Sequence, residues 1–186
     1  MATYISLLRG INVGGQKKIK TEELLALFDS LGLKNVRTYV QSGNVIFNSP
    51  QRDIQELAKL IETKIVQAFN FSVAVLVRTP DELQRIIDDN PFLREKTADT
   101  GKLHVTFLSA MPAKSVVEQM KEMHNESDKF IISNKEIYLY CPDGYGRTKY
   151  SNDFFEKKLG MVATTRNWKT VNMLLDMAKK NSLLRD

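Results

Sequence analysis

The chain opens on a short apolar run, Tyr4–Leu8, that reads as a strand. Thr21 then caps a helix whose first turn holds Glu22 and Glu23 and whose buried stripe is Leu24, Leu27, Phe28 and Leu31. Gly32 stands where a helix terminates. Val36–Val40 and Asn44–Asn48 follow as a strand pair turned at Ser42-Gly43. Ser49-Pro50 opens a second helix with Leu57, Leu60, Ile61, Ile65 and Phe69 on one face. Ser72–Val77 returns as a strand, and Thr79-Pro80 starts a third helix that ends near Asn90-Pro91. The order β-α-β-β-α-β plus a trailing helix is the ferredoxin-like pattern.

After a polar linker, Arg94–Lys102, the order repeats. Leu103–Leu108 reads as a strand, Pro112–Met123 as a helix, and Lys129–Ile132 with Glu136–Cys141 as a hairpin around Ser133-Asn134. Asp153–Leu159 is a short helix, Met161–Thr165 a short strand, and Trp168–Lys180 the last helix. The best-matched pieces are Arg78–Asp88 and Arg166–Asp176: in each, an Arg closes a strand, a Thr or Asn caps a helix, and apolar residues recur at equal spacing. The expected fold is therefore α+β, built as two tandem ferredoxin-like (βαββαβ, α/β-plait) halves over residues 1–95 and 96–186.

Composition narrows the setting. At 42% hydrophobic and 26% charged residues the chain is ordinary for a globular protein. Its apolar runs fall far short of the ~20 residues that span a bilayer. Cys141 is the one cysteine, which rules out an internal disulfide and fits the reducing cytoplasm. One cysteine and two distant histidines, His104 and His124, give no zinc-ligand spacing. No cofactor or metal is implied. Of the net charge of +5, residues 96–186 supply most, with 15 Lys/Arg against 11 Asp/Glu. Such a balance favours an anionic partner but is short of a dedicated DNA binder's footprint.

Four segments could carry chemistry. Arg9-Gly10-Ile11-Asn12-Val13-Gly14-Gly15-Gln16-Lys17-Lys18 places glycines, amides and cations between a strand and a helix, where backbone N–H groups can approach a ligand. It is not a Walker-A loop: Gln16 stands at the lysine position, no Ser or Thr follows Lys17, and Glu22 and Glu23 occupy the next helix start. Thr164-Thr165-Arg166-Asn167 leads into the last helix, which has no acid before Asp176, so free N–H groups and Arg166 offer an anion site, and equally Asn167 serves as a plain helix cap with Trp168 as a core anchor. Gly144–Ser151 carries Arg147 and Lys149 among glycines and tyrosines, as a mobile ligand loop would, and equally as a solvated turn capped by Ser151. Gln41-Ser42-Gly43-Asn44 crowds hydrogen-bonding side chains around a turn; turn chemistry accounts for Gly43 and Asn44 but less easily for Gln41. No nucleophile elbow, carboxylate pair or activated cysteine appears, so no acid, base or nucleophile is assigned. His104 reads as a satisfied core residue and His124 as an exposed one.

Leu7–Gly15, Tyr39–Val45 and Thr164–Trp168 together resemble an uncharacterised bacterial family of domains of unknown function marked by an L-R-G-I-N-V-G-G opening. Asp143–Lys149 also matches it. The resemblance implies a two-part ferredoxin-like fold and brings no activity with it.

These readings converge on an anion-binding protein whose ligand is a nucleotide, a phosphorylated metabolite or a nucleic-acid phosphate. The expected site is composite, between the halves, with Arg9, Arg147, Lys149 and Arg166 as charge and Gly14 and Gly15 as backbone donors. Asn12, Gln41 and Asn44 would orient the ligand, and Ser42 and Asn167 complete the expected ligand-binding set. Two alternatives stand beside it: a single-stranded RNA module using Phe47, Phe107, Tyr138 and Tyr140, and a non-catalytic oligomeric regulatory module. Oligomeric state is left open.

Overall fold

The computed structural model describes residues 1–94, 99–123 and 127–184. They form two compact units, Met1–Arg85 with Met173–Asp186, and Ile86–Asn172.

In the first unit β1 (Ala2–Leu8) pairs antiparallel with both β3 (Asn44–Ser49) and β4 (Val75–Arg78), and β2 (Lys34–Thr38) pairs with β3 on its outer side. Two helices supply the apolar cover, α1 (Thr21–Ser30) and α2 (Ile54–Phe69). Their stripes, Leu24, Leu27 and Phe28 on one and Leu57, Ile61 and Ile65 on the other, join Tyr4, Leu8 and Phe47 in one core. Phe47 is its centre, tilted against Tyr4 and edge-on to Phe28 with centroids 5.8 and 5.5 Å away. Each such fully buried side chain contributes about 1.5–3 kcal/mol.

Helix ends follow local chemistry. The Glu23 carboxylate accepts from the Lys20 N–H at the start of α1, and Gly32 at φ +73° closes its end. The start of α2 corrects the sequence reading. Ser49-Pro50 does not open it; the Asp53 carboxylate does, accepting from the N–H groups of Gln55 and Glu56.

The second unit repeats the plan with β5 (Leu103–Leu108), α4 (Lys114–Lys121), β6 (Lys129–Ser133), β7 (Glu136–Tyr140), α5 (Asn152–Leu159) and β8 (Ala163–Asn167). Here β5 lies between β7 and β8, and β6 is the outer strand on β7. Its core packs Leu108, Met120, Ile137 and Leu139 with an aromatic group, in which Phe130 meets Tyr150 edge-on at 4.7 Å and Phe155 at 5.6 Å. The helix expected from Pro112 begins at Lys114.

Two further helices, α3 (Pro80–Asp88) and α6 (Trp168–Ser182), contain the boundaries of the units. The end of α6 belongs to the first unit through a buried amide pair. The Asn181 side chain donates to Asn48 Oδ1 at 3.0 Å, the Thr3 hydroxyl donates to the same atom at 2.9 Å, and Asn48 returns a bond to the Asn181 carbonyl at 3.5 Å. On the exposed side Lys179 donates to Gln84 at 2.6 Å.

The α+β class stands, but the expectation of two tandem ferredoxin-like plait halves is corrected. The structure has two four-stranded antiparallel sheets, ordered β2-β3-β1-β4 and β6-β7-β5-β8, with six α-helices among the described residues. They are not successive closed halves: a third helix follows each set of four strands, and from Met173 onward α6 completes the first unit. Hydrophobic period reveals that a helix has a buried face, not which sheet receives it.

Among the described residues no helix is long and apolar enough to cross a membrane. His124 lies outside the described residues, as do residues 95–98 of the expected linker.

Candidate functional site

The segment after β1 is built on backbone that side chains rarely adopt. Gly10, Asn12, Gly14, Gly15 and Lys17 all have positive φ, and residues 13–18 are exposed. What holds this shape is Asn12. Its amide donates to the carbonyls of Ile19 at 3.0 Å and Gln41 at 2.9 Å, and its oxygen accepts the Ile19 N–H at 2.9 Å. The Asn12 N–H also bonds the Lys17 carbonyl at 3.2 Å, closing the loop on itself. Lys17 reaches the Ser72 carbonyl at 2.8 Å. Asn12 thus ties the loop to the neighbouring turn.

That turn, Tyr39–Asn44, is equally constrained. Asn44 is fully buried; its amide donates to the Tyr39 carbonyl and to Ser42 Oγ, both at 2.9 Å, while its carbonyl accepts the Tyr39 N–H. Gly43 passes so close to β1 that a Cβ there would lie 2.7 Å from Leu8 Cβ, and its φ is +75°. Val40, expected to end a strand, instead sits at φ +50° with 55% of its surface exposed. The strand stops at Thr38, two residues early.

Loop and turn border an open cavity of about 320 Å³ whose lining includes Asn12, Gly15, Lys18, Lys20, Thr21 and Gln41. The charged side chains on it are Lys18 and Lys20. Among the described residues, the Gly14 and Gly15 N–H groups donate to no protein acceptor. Of the residues singled out by sequence, Arg9, Asn12, Gly14, Gly15, Gln41, Ser42 and Asn44 therefore fall at one end of the first unit's sheet. Their roles differ: Asn12, Ser42 and Asn44 shape the backbone, whereas Gly15 and Gln41 face the cavity. Lys18, one of the cations of the segment singled out by sequence, lines it together with Lys20, which lies beyond that segment and carries no signature in a sequence.

Arg147, Lys149, Arg166 and Asn167 belong to the second unit. Arg147 and Lys149 are exposed. Arg166 is buried, and its guanidinium donates to Thr164 Oγ1 at 2.8 Å and to the Thr165 carbonyl at 2.9 Å. Arg78 in the first unit is its counterpart, also buried and donating to the preceding carbonyl, of Val77, at 3.0 Å. The Asn167 side chain accepts the Thr170 N–H at 2.8 Å and so caps α6.

One cluster was not legible in the sequence. Thr165 Oγ1 accepts from Tyr145 OH at 3.1 Å and lies 2.7 Å from Thr106 Oγ1, while donating to Asn152 Oδ1 at 2.7 Å. The Tyr145 ring stacks on His104 at 5.1 Å. These residues come from four separate segments, so no local pattern announces them. Burial pushes His104 below the ordinary imidazole range, partly offset by its bond to the Lys102 carbonyl. The Cys141 thiol is pushed up to about 11, first by burial; the Thr148 hydroxyl opposes this and the Asp128 charge adds to it. Such a thiol is not a nucleophile at neutral pH. Among the described residues no three His, Cys, Asp or Glu side chains gather to hold a metal. Phe47, Phe107 and Tyr138 are buried, so they offer no stacking platform to RNA bases.

The family model described as "Protein of unknown function (DUF1697)" matches residues 1–138. The chain belongs to this family. No curated protein matches it. Among solved structures it is similar to the conserved bacterial protein SP0830 from Streptococcus pneumoniae, at 22% identity and a TM-score of 0.76 over 95% of this chain and 98% of that one. At that identity the likeness shows the fold, and the shared α+β arrangement runs through nearly the whole chain.

Proposed function

We propose that the first unit binds an anionic ligand, of the nucleotide, phosphorylated-metabolite or nucleic-acid-phosphate class, in the cavity beside the Arg9–Lys20 loop. The observation that carries this reading is the lining: Lys18, Lys20, Gly15 and Gln41 around about 320 Å³, with no carboxylate on the wall among the described residues. Backbone donors fixed by Asn12 meet an anion without having to be ordered first, which is what makes such loops effective. Gln41 orients the ligand, and Arg9 at the foot of the loop adds charge. In the second unit the same reading assigns anion contact to the exposed Arg147 and Lys149. Arg166 and Asn167 serve it only through the backbone they hold. The single cysteine supports a reducing setting such as the cytoplasm.

Calorimetric titration with ATP, with inorganic phosphate and with a single-stranded decauridylate tests the proposal. Binding of one of these is expected to weaken at least tenfold in a Lys18→Ala/Lys20→Ala variant and to fall with rising salt. Gln16→Ala, outside the cavity lining, leaves it unchanged. Absence of binding to all three, or affinity indifferent to the lysines, overturns the reading.

A further inference from the structure

A roomier cavity, about 590 Å³, lies in the second unit along the outer strand β6. It is independent of the loop site. Its walls are apolar: Val117 and Met120 from α4, Phe130, Ile131 and Ile132 from β6, and Phe92. Successive strand residues face opposite sides of a sheet, so a cavity touched by Phe130, Ile131 and Ile132 alike wraps around the strand's edge. Ile131, at 40% exposure, is one of the more exposed large apolar residues of the chain.

That edge has unfilled hydrogen-bonding capacity. The hairpin joining β6 to β7 has a two-residue turn, Asn134-Lys135, which makes Ser133 and Glu136 the closing pair. In an antiparallel ladder closed this way, Ser133, Ile131 and Lys129 turn their N–H and C=O groups to β7, and Phe130 and Ile132 turn theirs outward. Among the described residues no strand pairs with β6 on that side.

Charge selects a direction. Lys121 ends α4 and Lys129 begins β6, so both cations stand at the same end of the groove. Asp128, the acid on the wall among the described residues, is buried and accepts the Thr148 hydroxyl at 2.7 Å. Lys121 meets Glu118 at 2.7 Å in an exposed pair, which is weak in water and so can be exchanged for an incoming carboxylate.

We propose that this groove binds an extended apolar peptide as an added antiparallel strand on β6, with the peptide's acidic C-terminal end beside Lys121 and Lys129. Antiparallel addition places the partner's C-terminus at the start of β6; a parallel strand would set an ammonium group against the two lysines. Outward N–H and C=O groups of Phe130 and Ile132 supply affinity, and alternate peptide side chains enter the apolar walls on either side of the edge. The two methionines in the wall, Met120 and Met123, allow several apolar side chains to fit.

The test uses the intact protein and a phage-displayed library of decapeptides with free C-termini. Enriched peptides are synthesised and measured by fluorescence polarisation. The expected peptides are apolar at alternate positions and acidic at the C-terminus. N-methylation at the positions facing β6 lowers their affinity at least tenfold while N-methylation one residue along does not. Lys129→Glu weakens them severalfold, with thermal melting unchanged. No enrichment overturns the proposal. Affinity indifferent to N-methylation overturns it in favour of a pocket for small apolar molecules. Dimerisation abolished by Ile131→Lys overturns it in favour of a second copy of this chain on the edge.

Discussion

Val40 is β-branched and held at φ +50°, a conformation that costs an ordinary L-residue about 1–2 kcal/mol. The bonds of Asn44 impose it, because they close the Tyr39–Asn44 turn around one buried amide. Val40→Asn is expected to raise stability by about 1 kcal/mol in urea unfolding; a loss would show that the side chain has a packing role the turn needs. Gly43 presents the opposite case. Gly43→Ala combines a 2.7 Å contact with Leu8 and a positive φ, and should cost about 2–4 kcal/mol by the same measurement. His104 contributes a pH dependence. Its folded pKa lies below that of the unfolded chain, so the unfolded state takes up protons first and stability falls as pH drops below about 6.5 toward the folded value. His104→Phe is expected to flatten the unfolding free energy between pH 7 and 5.5, and an unchanged slope would assign it to other groups. At this scale the glycines and Gln41 were legible as anomalies in their segments. The strain at Val40 was not, since a valine before a turn reads as the end of a strand.

Helices and strands were read where period and caps agreed. The stripe Leu57, Ile61 and Ile65 marked α2, and Gly32 marked the end of α1, because each rests on contacts within one or two turns. Ser49-Pro50 points to a helix start that the structure puts at Ile54, since a proline suits a first turn as well as the stretch before it. Asp53 is the working cap. Asp53→Ala should cost about 1 kcal/mol in chemical denaturation, whereas Pro50→Ala should be close to neutral; equal effects would contradict the observed helix start. The matched segments after β4 and β8 occupy equivalent places in their units, each with an arginine bonded to the preceding carbonyl and a side-chain cap beyond it. Glu82 N–H donates to Thr79 Oγ1 in one, and Thr170 N–H to Asn167 in the other. An eleven-residue likeness in sequence thus marks one local construction used twice. The Lys18–Lys20 wall had no such mark, because a solvated lysine obeys no period.

At the scale of the molecule, the sequence supports an α+β reading but conceals how its helices are shared. Nothing in the pattern of α6 tells that its end closes on Asn48, since those bonds join residues more than a hundred positions apart. A fragment of residues 1–95 is therefore expected to show little cooperative structure by circular dichroism. Addition of a peptide of residues 168–184 should restore it, and a fragment folded on its own would contradict the assignment of α6 to the first unit. The same sharing sets an order of events on the ribosome. Every residue of the second unit is translated before Met173, so that unit can close while the first, though made earlier, still waits for its last helix. During that interval the first-made sheet carries an open socket at Asn48, and its exposure time is set by the rate of translation.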